Sequence, residues 1–235
     1  MKIIPLLTLL LFSKLSSAQS FKYPELTQKG RTLNSLLPPQ WKVIDSASGD
    51  LNNDKTEDLA LVLEFYAAVK ESRAYGDNDT EIITEIQKPR MLAIYFKQGR
   101  NYKLALQNND FILRSEEGGA MGDPLRPMNI QTNTLVLNYE GGAGWKWQLN
   151  YTFKHTSNTW QLINAENCSF HGASGEMTRK EYDFVKRKRT VTTGKMTNKI
   201  DANQSQQNIL IGLKAKTFTT FKKPWTWEIN PGEFL

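Results

Sequence analysis

The chemistry legible in this chain is concentrated in Gly49-Asp50-Leu51-Asn52-Asn53-Asp54-Lys55-Thr56-Glu57-Asp58. Asp50, Asn52, Asp54 and Asp58 present side-chain oxygens at a D-x-N-x-D-x-x-x-D spacing. A loop curling round one hard cation can aim the oxygens of positions 1, 3, 5 and 9 inward and add the backbone carbonyl of position 7, here Thr56. The expected metal ligands are therefore Asp50, Asn52, Asp54, Thr56 and Asp58, and the expected ion is calcium. Calcium accepts about six to eight oxygens in irregular geometry, whereas magnesium demands a tighter octahedron. The segment offers no nitrogen or sulfur donor, which argues against zinc and copper. Three carboxylates within about 5 Å would repel by about 3 kcal/mol per pair at an effective dielectric of about 20, and a bound dication reverses that sign. An EF-hand does not fit, because its twelfth position falls inside the apolar run Leu59 to Leu63 and the flanks are not helical. The plain alternative is a polar turn in which Asp and Asn bond the nearby backbone.

Other candidate groups are less specific. Glu117-Gly118-Gly119-Ala120 recurs as Glu140-Gly141-Gly142-Ala143, each copy beside a predicted strand. The two copies could line one binding surface with Asp123, Trp145 and Trp147, or serve as simple turns. Neither opens a helix as a phosphate loop does. Glu116, Glu117, Asp123 and Glu140 could supply a carboxylate pair for glycoside hydrolysis, which defines the alternative function: a hydrolase acting on envelope polysaccharide. G-x-S-x-G and H-E-x-x-H do not occur, and Cys168 with His171 is no catalytic arrangement by itself, so a non-enzyme is the first expectation. Trp145, Trp147, Trp225 and Trp227 could stack on sugars, although alternating strand positions more often build a core. Lys186-Arg187-Lys188-Arg189 reads as a solvated turn or edge strand. The run lacks the interleaved aromatics of a nucleic-acid surface, so no nucleic-acid partner is expected.

These groups must be positioned by strands, because period-2 patterning dominates and 3.6-residue patterning is almost lacking. Trp145, Trp147, Leu149, Tyr151 and Phe153 alternate with polar residues, then Ser157-Asn158 turns the chain into Trp160 to Ile163. Met91 to Phe96 and Tyr102 to Leu106 flank Gln98 to Asn101 as a second hairpin, and Asn129-Ile130 and Leu135 to Leu137 flank Thr132 to Thr134 as a third. Leu59 to Phe65 is nearly continuous in apolar residues, as in a central strand covered on both faces. Tyr182 to Val185, Arg189 to Thr193 and Gln207 to Phe221 are further strand candidates, Lys199 to Gln206 a loop. The one helical turn expected spans Thr32 to Leu37, stopped by Pro38-Pro39. The predicted fold is all-β, with antiparallel hairpins and meanders forming a sandwich or a partial propeller-like assembly and few helices.

Gly49-Asp50-Leu51-Asn52 through Asp54 to Asp58-Leu59-Ala60-Leu61-Val62 resembles the calcium loop of FG-GAP and VCBS-type repeats, which set a D-x-[DN]-x-D-G-x-x-D loop between two strands. The resemblance covers about 20 residues and implies a β-hairpin calcium site in an exported or cell-surface protein. Lys55 stands where that pattern has glycine, so a positive φ there would be strained and calcium held less tightly. Only one copy occurs, whereas a propeller needs several repeats of about 40 or more residues. The chain is thus similar to single-loop exported bacterial proteins rather than to a repeat propeller.

The chain has 235 residues, 39% of them hydrophobic, enough for a sizeable core, and its single cysteine excludes an intrachain disulfide. Residues 1–18 read as a signal peptide: Lys2, the apolar run Ile3 to Phe12, then Ser16-Ser17-Ala18 before the cut. The run is too short to span a bilayer, and no transmembrane segment is expected after cleavage. Removing Lys2 and Lys14 lowers the formal charge of +6 to +4, leaving residues 19–235 as a single β-rich domain. The expectation is an exported non-enzymatic protein, periplasmic or secreted, with a structural calcium loop and a binding or structural role in the cell envelope. Its expected partner is a polysaccharide or another envelope protein.

Overall fold

The computed structural model describes residues 21–75, 81–197, 203–214 and 216–235; the expected signal peptide lies outside them. The chain opens with a short strand β1 (Lys29–Gly30) and one helical turn α1 (Leu33–Leu36), capped by the Thr32 side chain, followed by Leu37 in extended conformation before the two prolines. β2 (Trp41–Gly49) and β3 (Asp58–Phe65) flank the acidic loop. β4 (Val69–Tyr75) and β5 (Glu81–Gln87) pair as a separate ribbon, and β6 (Arg90–Gln98) and β7 (Asn101–Asn108) form a hairpin. A 3-10 segment, Ser115–Met121, precedes a continuous meander: β8 (Leu125–Gln131), β9 (Thr134–Gly142), β10 (Trp145–Thr156), β11 (Thr159–His171), β12 (Glu176–Asp183), β13 (Lys188–Lys195) and β14 (Gln204–Ile209). A small pair, β15 (Glu228–Asn230) and β16 (Glu233–Phe234), closes the chain.

Two antiparallel sheets carry the fold, a five-stranded one in the order β1-β7-β6-β3-β2 and a seven-stranded one in the order β14-β13-β12-β11-β10-β9-β8. The all-β, sandwich-like expectation holds. Ala60, Val62, Leu92 and Ile94 face the seven-stranded sheet and share one core with Leu135, Leu137, Leu149, Tyr151, Phe153 and Leu162. Leu61, Leu63, Met91, Ala93 and Tyr95 face the other way and are covered by Leu26, Leu36 and Trp41. The five-stranded sheet is thus buried on both faces, which is why β3 reads as an unbroken apolar run. The outer face of the seven-stranded sheet is polar, with Gln148, Asn150 and Glu166 on it, so its strands alternate.

The core is aromatic. Phe111, on the segment after β7, places its ring within 5.2–5.3 Å of Tyr151, Phe153, Phe218 and Phe221, all edge-on. Phe153 and Phe218 stack at 3.8 Å. The edges β2 and β8 meet: a bulge at Ile44 lets Asp45 Oδ2 accept the Met128 amide at 2.7 Å. A side chain at Gly49 would meet Ile130 Cγ2 at 2.7 Å, so the approach of these strands requires glycine there.

Three strand expectations need correction. Tyr182 to Val185 is not a strand of its own, because β12 ends at Asp183 and Phe184 and Val185 lie in the turn that follows. Gln207 to Phe221 is not one strand, because β14 ends at Ile209 and Gly212 takes a φ of 75°. Gln204 to Gln206, expected in a loop, belong to β14; residues 198–202 lie outside the described residues. The basic run is divided between a turn, with Arg187 at a φ of 53°, and the start of β13, an internal strand rather than an edge.

Candidate functional site

Asp50, Asn52, Asp54, Thr56 and Asp58 lie on one loop, pinned at three places. Leu51, 1% exposed, plugs the loop into the inter-sheet core. Asn133, in the β8–β9 turn, donates its side-chain N–H to the Asp50 carbonyl at 2.9 Å. Asp58 accepts the Leu51 amide at 2.9 Å on one oxygen and the Lys97 amide at 2.8 Å on the other, tying the loop to both its own start and the end of β6.

The loop curls because its acids organise its own amides. Asp50 Oδ1 accepts from Asn53 at 2.6 Å and Asp54 at 3.2 Å, and Oδ2 accepts from Lys55 at 2.8 Å. Asn52 Oδ1 accepts the Asp54 amide at 3.0 Å while its Nδ2 donates to Asp54 Oδ2 at 3.0 Å. Asp54 Oδ1 takes the Thr56 amide at 2.8 Å and the Thr56 hydroxyl. Asn53 and Lys55 both sit at a φ of 67°, so Lys55 occupies the left-handed position that the resemblance assigns to glycine.

The donor chemistry fits a hard cation, since every side-chain donor in the set is oxygen. A carboxylate has about four lone-pair directions, and these backbone bonds use only part of that capacity. Among the described residues, no group of three His, Cys, Asp or Glu side chains converges as a metal cluster. Electrostatics single out Asp58. It is completely buried, and its carboxyl is pushed above the usual range first by that burial and then by Asp54 and Asp50, against the pull of the Lys97 and Leu51 amides. The buried acids Glu64 and Glu71 each hold an arginine, at 2.7 Å in both cases. Asp50, Asp54 and Asp58 form no ion pair among the described residues. Hydrogen bonds from Thr56 hold the exposed Asp54 below its ordinary value.

The two Gly-rich copies come into contact. A side chain on Gly141 would meet Gly118 O at 2.7 Å and the Trp147 ring at 2.3 Å, so the indole lies directly on the Gly141 backbone. Of the four carboxylates proposed for hydrolysis, Glu116 is exposed and accepts from the Ser115 hydroxyl, and the other three are bound to cations. Glu117 accepts from Arg73 at 2.6 Å, Lys223 at 2.8 Å and the Arg114 amide at 2.6 Å, and Arg73 and Lys223 hold it at about 2 against its burial. Asp123 takes Arg90 on both oxygens, and Glu140 pairs with Arg126 at 3.4 Å. Cys168 is buried, and its odd separation from His171 along β11 puts the two on opposite faces.

A buried ionic cluster lies outside what the sequence reading named. Arg114 bonds Glu71 at 3.0 and 2.7 Å and the Tyr23 hydroxyl at 2.6 Å; Arg90 bonds Glu64 at 2.9 and 2.7 Å. Arg73, Arg90 and Arg114 also donate to carbonyls of the segment after β7: Asp110 at 2.8 Å, Leu113 at 3.0 Å and Asn109 at 3.1 Å respectively. Comparison with protein-family models, curated proteins and solved structures returns no match.

Proposed function

We propose that this is an exported, non-enzymatic β-domain of the cell envelope, periplasmic or secreted, whose Asp50–Asp58 loop binds one calcium ion as a structural fastener. One observation carries the reading: Asp58 is buried near Asp50 and Asp54, accepts hydrogen bonds from two backbone amides and forms no ion pair among the described residues, with the His155 ring in electrostatic reach, while Glu64 and Glu71 are neutralised by arginine. An ion there offsets like-charge repulsion that hydrogen bonds alone do not remove. Asp50, Asn52, Asp54, the Thr56 carbonyl and Asp58 would hold it, which is also what the resemblance to FG-GAP and VCBS-type loops implies.

The fastener role follows from position. The loop joins β2 to β3, touches the end of β6 through Asp58 and meets the β8–β9 turn through Asn133. A cation drawing those groups together would fix the corner where the two sheets meet. Extracellular calcium modules bind at about 10⁻⁴ to 10⁻³ M, a range suited to a constant fixture rather than a signal. The ion-paired state of Glu117, Asp123 and Glu140 favours this reading over a hydrolase, because a general acid needs a raised pKa and Glu117 and Asp123 are both lowered.

Calorimetric titration tests the proposal. The metal-stripped protein is expected to take up one calcium per chain with an affinity in that range, and the Asp50→Ala/Asp54→Ala variant none. Equal heats for the two proteins would rule out this loop as the site.

A further inference from the structure

We infer that the open cleft beside the contacting Trp147–Trp225 pair binds a pyranose ring of a polysaccharide. It stands apart from the calcium loop and rests on no part of that reading. Trp147, Asn167 and Ser169 face it from β10 and β11, and Lys223, Pro224, Trp225 and Phe234 from the C-terminal segment, around about 650 Å³ open to solvent. That volume lies within the range of about 300–1,000 Å³ typical of ligand sites.

The strongest sign is the backbone of Trp225. It sits at a φ of 64°, left-handed and disfavoured for so bulky a side chain. The turn holding it is closed by Thr226, whose hydroxyl donates to the Lys223 carbonyl at 2.6 Å and accepts the Lys223 amide at 3.2 Å. Glycine or asparagine would suit that turn better; the indole that stands there packs against the core and Trp147 and remains half-buried at the cleft wall, where a ring can still cover it. Its ring stands edge-on to Trp147, 4.8 Å between centroids and 89° between planes. Trp147 in turn is held flat by the bare backbone of Gly141.

The polar lining selects the ligand. Trp147 pairs with Ser169 and Leu149 with Asn167 across β10 and β11, so both polar side chains point to the face that carries the indole. Among the described residues, no protein group bonds the Asn167 amide, the Ser169 hydroxyl or either indole N–H. Lys223, its side chain 7% exposed, places one of its N–H donors on Glu117. A purely apolar ligand would bury these groups without partners, which is costly. Lys223 is neutralised by Glu117, so the cleft carries no free charge to hold an ionic ligand. A neutral sugar ring meets both demands: its C–H face covers an indole, and its hydroxyls serve as donors and acceptors for Asn167 and Ser169.

The test is titration of the full protein with the hexasaccharides of β-1,4-glucose, β-1,4-N-acetylglucosamine and α-1,4-galacturonate, read by NMR of the indole N–H signals. At least one oligosaccharide is expected to give saturable shifts centred on Trp147 and Trp225. Trp225→Gly, which relieves the left-handed strain, is expected to weaken binding about tenfold or more while the thermal midpoint moves by no more than about 5 °C. Asn167→Ala, at a half-exposed strand position, should weaken it about threefold to tenfold through one lost hydrogen bond. No saturable shift with any of the three, or full binding by both variants, would overturn the inference.

Discussion

Lys55 and Glu117 show how much a single side chain decides. Lys55 holds a left-handed φ and places a cation on an acidic loop. Lys55→Gly should leave the thermal midpoint nearly unchanged, since relief of about 1 kcal/mol of strain is offset by the chain entropy of glycine. Calcium affinity should rise about twofold to fivefold, because the removed charge is worth roughly 0.5–1 kcal/mol; calorimetry on the two proteins checks this. Glu117 carries the opposite lesson. Its pKa is lowered in the folded state to about 2, so its stabilisation is complete above the unfolded value of 4.5 and is lost as the pH falls towards 2. Glu117→Gln should cost about 3–5 kcal/mol at pH 7 by leaving Arg73 and Lys223 without their shared carboxylate. It should also flatten the stability curve across that acid window in urea titrations. The loop residues proposed as ligands can be picked out in the sequence because they lie within nine positions of one another. Glu117 was legible as part of a Gly-rich copy and as a candidate carboxylate but not as an ion-pair centre, since its cationic partners stand 44 and 106 residues away.

At the scale of strands and hairpins, success and failure have one cause. Hairpins closed by Thr132-Asn133 and Ser157-Asn158 have both turn residues in the left-handed region, and their local chemistry announces them. β3 announced itself because both faces of its sheet are covered. β4 did not, since two of its inward residues, Glu71 and Arg73, are buried as ion-pair members, and an apolar period-2 signal never arises. β14 is polar up to its last residue, Ile209, at the outer edge of its sheet, so its pattern matches that of a loop. For β10, the alternating aromatics mark a true core face at Leu149, Tyr151 and Phe153, while Trp147 and Trp145 at the other end emerge from it. Phe153→Ala should therefore cost about 3–5 kcal/mol in chemical denaturation, through the space left beside Phe111 and Phe218. Trp145→Ala, at an exposed strand end, should cost well under 1 kcal/mol.

Among the described residues the two large sheets are joined along β2 and β8, with the acidic loop at that junction and a buried ionic cluster holding the segment that crosses between them. Sequence alone could give the all-β class but not this arrangement, because strand order depends on pairings made by residues far apart. Calcium at the junction should act on the fold as a unit and do so in a pH-dependent way. Asp58 has a raised pKa in the folded chain, so its contribution is most favourable below the unfolded value of 3.8 and declines as the pH rises through the folded value. The ion favours the ionised form, so its stabilising effect should be full at pH 7 and fade on acidification towards about pH 4. The direct measurement is the thermal midpoint at pH 7 in chelator and in calcium at about 100 times its dissociation constant. Stabilisation of about 2.7 kcal/mol predicts a rise of about 5–10 °C, absent from the Asp50→Ala/Asp54→Ala variant. Identical midpoints in chelator and in calcium would contradict the account.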